Sequence, residues 1–125
     1  MGKKYLLDTN VVLDFMGRKL PEKSKKFVAE VVDNQINISA INKIELLGFE
    51  NVEKNLVAFV SFAEIYPIDD EIIDITIDLR KKYKIKLPDA MIAATAIAYN
   101  FTLLSHNVKD FQKIEELNLL DVYEI

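Results

Sequence analysis

Residues 3–15, Lys3-Lys4-Tyr5-Leu6-Leu7-Asp8-Thr9-Asn10-Val11-Val12-Leu13-Asp14-Phe15, set one apolar run against a second with a polar turn between them. Lys3 to Leu7 reads as a short strand ending at Asp8. Asp8-Thr9-Asn10 reads as the turn, and Val11 to Phe15 as a helix. In open α/β sheets, ligands sit outside the carboxyl ends of the strands, so Asp8 stands where such a fold puts its chemistry.

The same alternation continues along the chain. Pro21 and Glu22 open an amphipathic stretch to about Asn34, with Phe27, Val28, Val31 and Val32 on one side. Ile36 to Ser39 reads as a strand. Ser39 can cap a helix from Ala40 to about Gly48, where glycine supplies a stop. A helix over Val52 to Ala63 and a short edge strand over Ile65 to Ile68, containing Pro67, come next. Ile72 to Tyr83 is ambiguous, because Ile73, Ile75 and Ile77 also alternate with period two. The leading acids Asp69, Asp70 and Glu71 and the trailing Arg80-Lys81-Lys82 favour a helix. Pro88 opens a helix over Asp89 to Tyr99 that is apolar nearly all round and therefore expected to be buried. Thr102 to Ser105 reads as a strand beside the first, Val108 to Leu117 as a short helical region, and Val122 to Ile125 as the last strand. Strand and helix in alternation predict an α/β layer fold with a mostly parallel sheet flanked by helices. Residues 1–125 fit one domain, large enough to bury roughly two thirds of its unfolded surface.

With no cysteine and a single histidine, disulfides, thiolate sites and histidine cages are excluded, so any metal must be held by oxygen. The formal charge of −4 excludes an all-over basic coat for nucleic acid and leaves local patches, such as Arg80 to Lys86, which by themselves read as solvated faces. The most apolar stretch, Ala90 to Leu104, is short and is interrupted by Thr95, Asn100 and Thr102. No apolar run long enough for a signal peptide precedes Asp8, so a cytoplasmic protein without a membrane segment is expected.

Four carboxylates stand out. Asp8 can act as a helix cap or as a site residue. Glu45 lies at helical spacings from Ile41, Ile44 and Gly48, which predicts an inward position requiring a cation, a proton or a hydrogen-bond partner. The plainer reading is a partly exposed Glu paired with Lys43 or another base. Asp89 follows Pro88 in a helix's first turn, where the dipole alone would favour it, but it is the sole charge between Lys86 and Lys109. Asp110 lies in the loop after the strand expected beside the first, and an ordinary loop acid is the alternative. His106, in the same loop, is a candidate proton carrier or phosphate donor, although a lone loop histidine is more often incidental.

Taken in order, four segments resemble the PIN-domain family over essentially the whole chain. They are Leu6-Leu7-Asp8-Thr9-Asn10, the stretch Ser39 to Glu45, the stretch Lys86 to Ala96 containing Pro88-Asp89-Ala90, and Thr102 to Phe111. Within that family the chain looks most like the VapC toxins of toxin–antitoxin pairs. The resemblance implies a ribonuclease in which Asp8, Glu45 and Asp89 hold one or two Mg²⁺ or Mn²⁺ ions. Many relatives carry an additional Asp where Asn107 stands here, so the fourth group is either Asp110 or Asn107 acting through water. Thr9 and Ser105 match positions where a hydroxyl supports the site, and Asn10 belongs to the same turn. An antitoxin covering the acidic cleft and a homodimer are implied as partners. Apolar surface on the second and fourth helices is a candidate for them, although such stripes more often go to the core.

Such a cluster suits divalent ions. Two carboxylates about 4 Å apart repel by roughly 4 kcal/mol at an effective dielectric near 20, and either protons or a cation must relieve them. All-oxygen ligands favour Mg²⁺ or Mn²⁺, which serve phosphodiester cleavage by activating water and stabilising the departing oxygen. Lys43, Lys86 and Lys109 lie near the acids in sequence and are candidates for contacts with the RNA backbone. A phosphatase of the haloacid dehalogenase type needs an Asp where Asn10 stands, and a response-regulator receiver needs an acidic pair that this turn lacks. The alternative from another class is a non-catalytic PIN-fold module that binds RNA or protein.

Overall fold

The computed structural model describes residues 2–125. The chain runs β1 (Tyr5–Leu7), α1 (Thr9–Met16), α2 (Glu22–Asn34), β2 (Asn37–Ser39), α3 (Ala40–Leu47), α4 (Lys54–Ser61) and β3 (Glu64–Tyr66). It continues with α5 (Asp70–Lys82), α6 (Leu87–Ala98), β4 (Thr102–Ser105), α7 (Val108–Phe111) and β5 (Asn118–Asp121), closing on a 3₁₀ turn, Val122–Glu124. Every strand pairing is parallel: β1 with β4, β4 with β5, and β2 with β3.

β1, β4 and β5 form one sheet and β2 and β3 another. At the seam between them the side chain of Asn37 takes the place of a ladder. Its amide donates to the Tyr5 carbonyl over 3.0 Å, and its oxygen accepts from the Tyr66 hydroxyl over 3.1 Å. The chain leaves β1 towards β2 and β3 on one side and later returns to build β4 and β5 on the other. The reversal of strand order therefore lies at the carboxyl ends of β1 and β4, beside Asp8 and Ser105.

Alternation along these short strands builds the layers. Leu6 and Leu103 face one core with Ile72 and Leu79 of α5, Ile92 of α6, and Phe111. Leu7 and Leu104 face the other with Val11, Val12, Val28, Leu46, Leu56 and Val60 from the remaining helices. The fold is thus the expected α/β arrangement of parallel strands between helical layers. α6 is buried as its composition predicts, with Ala90 and the run Ile92 to Ala96 out of solvent. α5 is a helix: Ile72, Thr76 and Leu79 point inward at helical spacing, while Ile73 and Ile77 of the competing period-two pattern are exposed. No helix among the described residues is long and apolar enough to cross a membrane.

β3 is Glu64–Tyr66 and stops short of Pro67, and two boundaries nearer the C-terminus also differ from expectation. The last strand is Asn118–Asp121 rather than Val122 to Ile125, because register against Thr102–Ser105 selects Asn118 to Asp121. The Asp121 carboxylate then accepts from the Tyr123 backbone N–H over 2.9 Å, and the buried Ser24 hydroxyl donates to the Val122 carbonyl, which together end the strand as a 3₁₀ turn. The helical region after β4 stops at Phe111, and the turns that follow tuck Ile114 and Leu117 into the core. Gly48 does end α3, but without a left-handed backbone: a Cβ there would lie 2.6 Å from the Ile44 carbonyl oxygen.

Candidate active site

Asp8 is 5% exposed. Its carboxylate is held from several sides. The Ser105 hydroxyl donates to Oδ2 over 2.7 Å, the Thr9 backbone N–H to Oδ1 over 2.8 Å, and the Asn42 amide to Oδ1 over 3.3 Å. Asp8 caps α1, as the plainer sequence reading has it, and the same carboxylate lies within reach of the charges of Glu45 and Asp89. Burial raises its proton affinity above the ordinary carboxylate range. The hydrogen bonds from Ser105, Thr9 and Asn42 oppose that, and the charge of Glu45 adds to it.

Glu45 corrects the sequence reading. It is exposed, and so is Ile44, at 66%. α3 instead turns Asn42 and Leu46 inward, together with its capping residue Ser39. A helical period identifies which residues share a face but not which face meets the core, and here the sheet seam lies on the Asn42 side. Glu45 still reaches the site across the rim, where its Oε1 accepts from the Thr9 hydroxyl over 2.5 Å.

Asp89, half-buried in the first turn of α6, faces the other acids. Burial raises its proton affinity first, followed by the charges of Asp8, Asp110 and Glu45, with Lys86 acting in the opposite direction. All four predicted acids thus share one electrostatic neighbourhood, although they come from the end of β1, from α3, from α6 and from α7. Among the described residues no three acids close into a finished cage. The donor set itself, carboxylates with Ser and Asn oxygens, is the kind that hard divalent ions prefer.

The supporting residues tie the cluster to the sheet. Asn10 donates to Ser105 Oγ and to Asp8 Oδ2, each over 3.4 Å, and accepts from the His106 backbone N–H over 3.1 Å. The Asn107 backbone N–H donates to Ser105 Oγ over 2.9 Å, whereas Asp110 acts electrostatically on Asp89. The His106 ring engages Asp121 Oδ1 at 3.2 Å and lies against the Tyr123 ring. Lys86 stands close enough to act on Asp89, and Lys43 and Lys109 are exposed nearby.

Asn42 is the residue that sequence reasoning missed. Fully buried, it accepts from the Ser39 backbone N–H over 3.0 Å and donates to both Asp8 and Thr9. A polar residue three places after a Ser cap was the available signal, but the familiar capping box has Glu or Gln there.

The model of the PIN domain family matches residues 5–117. Ribonuclease VapC1 of Rickettsia felis is 28% identical over 130 residues, spanning 94% of this chain and 95% of that protein. Ribonuclease VapC1 of Methanocaldococcus jannaschii is 33% identical over 125 residues, spanning 93% and 85%. A toxin–antitoxin complex from Klebsiella pneumoniae contains a chain that superposes with a TM-score of 0.79 at 32% identity, covering 98% of this chain and 100% of that one. Matched across nearly its whole length in sequence and in architecture, this chain belongs to the PIN domain family.

Proposed function

We propose that this protein is a divalent-metal-dependent ribonuclease of the VapC kind, a single domain over residues 1–125 acting as the toxin of a toxin–antitoxin pair. The observation that carries the reading is the electrostatic meeting of Asp8, Glu45, Asp89 and Asp110 at the carboxyl end of β1, where Asp89 feels all three of the others. Relatives named ribonuclease and a structural neighbour solved as a toxin–antitoxin complex support the same reading.

Asp8 and Asp89 would hold Mg²⁺ or Mn²⁺, with Glu45 at the rim and Asp110 towards a second ion. Bound there, the ions supply charge that lowers the pKa of water and stabilises the leaving oxygen. The chain's own groups do the positioning. Ser105, Thr9 and Asn42 hold the Asp8 carboxylate by donating to it. The Thr9 hydroxyl occupies Glu45 Oε1. That leaves Oε2 to orient the attacking water and take its proton as the new P–O bond forms and the bond to the leaving ribose oxygen breaks. Of the two candidates for the fourth group, Asp110 is favoured, because its charge acts on Asp89 while Asn107 engages Ser105 through its backbone.

The antitoxin is proposed to cover the cleft. Phe49, Val57 and Phe62, the last 81% exposed, supply apolar surface on and around α4 for such a partner or for a second copy in a homodimer. α2, by contrast, commits Val28 to the core. The test is cleavage of a mixed tRNA and ribosomal RNA pool by wild type and Asp8→Asn, with Mg²⁺, Mn²⁺ or EDTA. Cutting by wild type alone, and only with metal, is expected. Equal cutting by both proteins would refute the assignment of Asp8.

A further inference from the structure

A cavity of about 380 Å³ opens beside the acids. It is lined by Arg80 near the end of α5, by Lys84, Ile85 and Lys86 in the connection to α6, by Asp110 on α7 and by Lys113 just beyond. Four of its six lining residues are cationic, in a chain whose formal net charge is −4. All four are exposed, and none takes part in an ion pair: the pairs among the described residues are Lys82 with Glu116 and His106 with Asp121. Lys113 instead donates to the Lys84 carbonyl over 2.5 Å, tying the segment after α7 across the mouth to the α5–α6 connection.

Four cations gathered around one lining carboxylate, Asp110, carry an excess of like charge, which a further anion relieves. The cavity shares two walls with the acid cluster. Asp110 lines it directly, and Lys86 lines it while acting on Asp89. A strand whose phosphodiester lies at the acids must pass over one of the neighbouring surfaces, and this one offers a guanidinium fork and three ammonium groups. An acidic peptide fits less well, since the acids beside the cavity are the ones the nuclease reading assigns to a phosphodiester, and a peptide has none to place there.

We propose that this cavity binds a phosphodiester of single-stranded RNA flanking the one that is cleaved, through Arg80, Lys84, Lys86 and Lys113. The inference rests on the nuclease reading, and it adds a second anchoring point that sets how the strand lies across the acids.

The test compares wild type, the triple variant Arg80→Gln/Lys84→Gln/Lys113→Gln, and a control with the same charge change, Lys23→Gln/Lys25→Gln/Lys26→Gln on α2. Lys86 is left in place because it borders Asp89. Binding of a short fluorescent single-stranded RNA of mixed sequence is followed against salt in EDTA, and cleavage of the same RNA is followed in Mg²⁺. In the pocket variant, the slope of log K against log salt should flatten by about 0.7 for each phosphate that the protein no longer neutralises, with the control unchanged. KM should rise about ten-fold with kcat within about two-fold. If wild type cuts and the pocket variant matches the control in slope and KM, the pocket inference falls and the nuclease stands. If wild type binds without cutting while the pocket variant alone loses slope, the cavity stands as an RNA phosphate site only, and its place beside a cleaved bond falls together with the nuclease reading. Binding of polyglutamate that depends on the three side chains, with RNA binding unaffected, would assign the cavity to an acidic peptide and overturn the inference.

Discussion

The buried amide of Asn42 donates to Asp8 Oδ1 over 3.3 Å, so the first turn of α3 grips the carboxylate at the end of β1. The same side chain donates to Thr9 Oγ1 over 3.1 Å, and Thr9 in turn donates to Glu45. One amide therefore couples the helix cap, the buried acid and the rim acid, across the seam where the two sheets have no ladder.

Replacing Asn42 by Ala should cost about 2–3 kcal/mol of stability, since it removes the capping box and leaves buried partners unmatched. Metal affinity should fall about 10–100-fold through misorientation of Asp8. Asn42→Asp should be worse, because it buries a second carboxylate against the first. Urea denaturation with and without Mg²⁺ measures both effects, and an Asp variant as stable as wild type would contradict the electrostatic account.

Thr9→Val separates orientation from folding. Thr9 is only partly buried, so the loss in stability should stay near about 1 kcal/mol. RNA cleavage should drop about ten-fold or more, as Glu45 Oε1 loses its donor. Thr9→Ser should restore most of the rate. A Val variant with unchanged kcat would show that Glu45 needs no orientation from Thr9.

Proton affinity is raised at both Asp8 and Asp89, chiefly by burial. A carboxyl with a raised folded-state pKa contributes stability that is complete below its unfolded pKa and is lost as pH rises through the folded value. In EDTA, then, the contribution of these two groups should decline from about pH 4 upwards. Divalent ions must displace the same protons, so the gain in Tm on adding Mg²⁺ should be larger near neutral pH than near about pH 5. Asp89→Asn should melt higher than wild type in EDTA and gain little from Mg²⁺. Equal Mg²⁺ gains at both pH values would mean that protons and ions do not compete at these acids.

Phe111 closes α7 against the core and is fully buried. Phe111→Ala should cost about 3–5 kcal/mol. Because Asp110 rides on the same turn, metal affinity should weaken as well, which thermal melts across a Mg²⁺ titration would resolve. Phe111→Leu should recover most of the stability and most of the affinity.

Local chemistry was enough for much of this. The run Tyr5-Leu6-Leu7-Asp8, the cap at Ser39 and Pro88-Asp89 in a helix's first turn each announce an element boundary with a polar group on it. The order of those elements then puts two carboxylates at the same end of the molecule. The buried character of α6 follows from its side chains alone.

What tertiary structure decided is everything that depends on which neighbour an element meets. The α3 period was correct in spacing and wrong in direction, because Asn42 and Leu46 are the buried residues while Ile44 and Glu45 are exposed. The last strand shifted to Asn118–Asp121 because a register is chosen by its partner strand, not by its own residues. Arg80 to Lys86 read in sequence as solvated charge, and only the packing of α5, α6 and α7 brings Lys113 to them around one cavity. Periodicity fixes relations within a few turns of chain, whereas partners distant in sequence are selected by the packing of the whole domain.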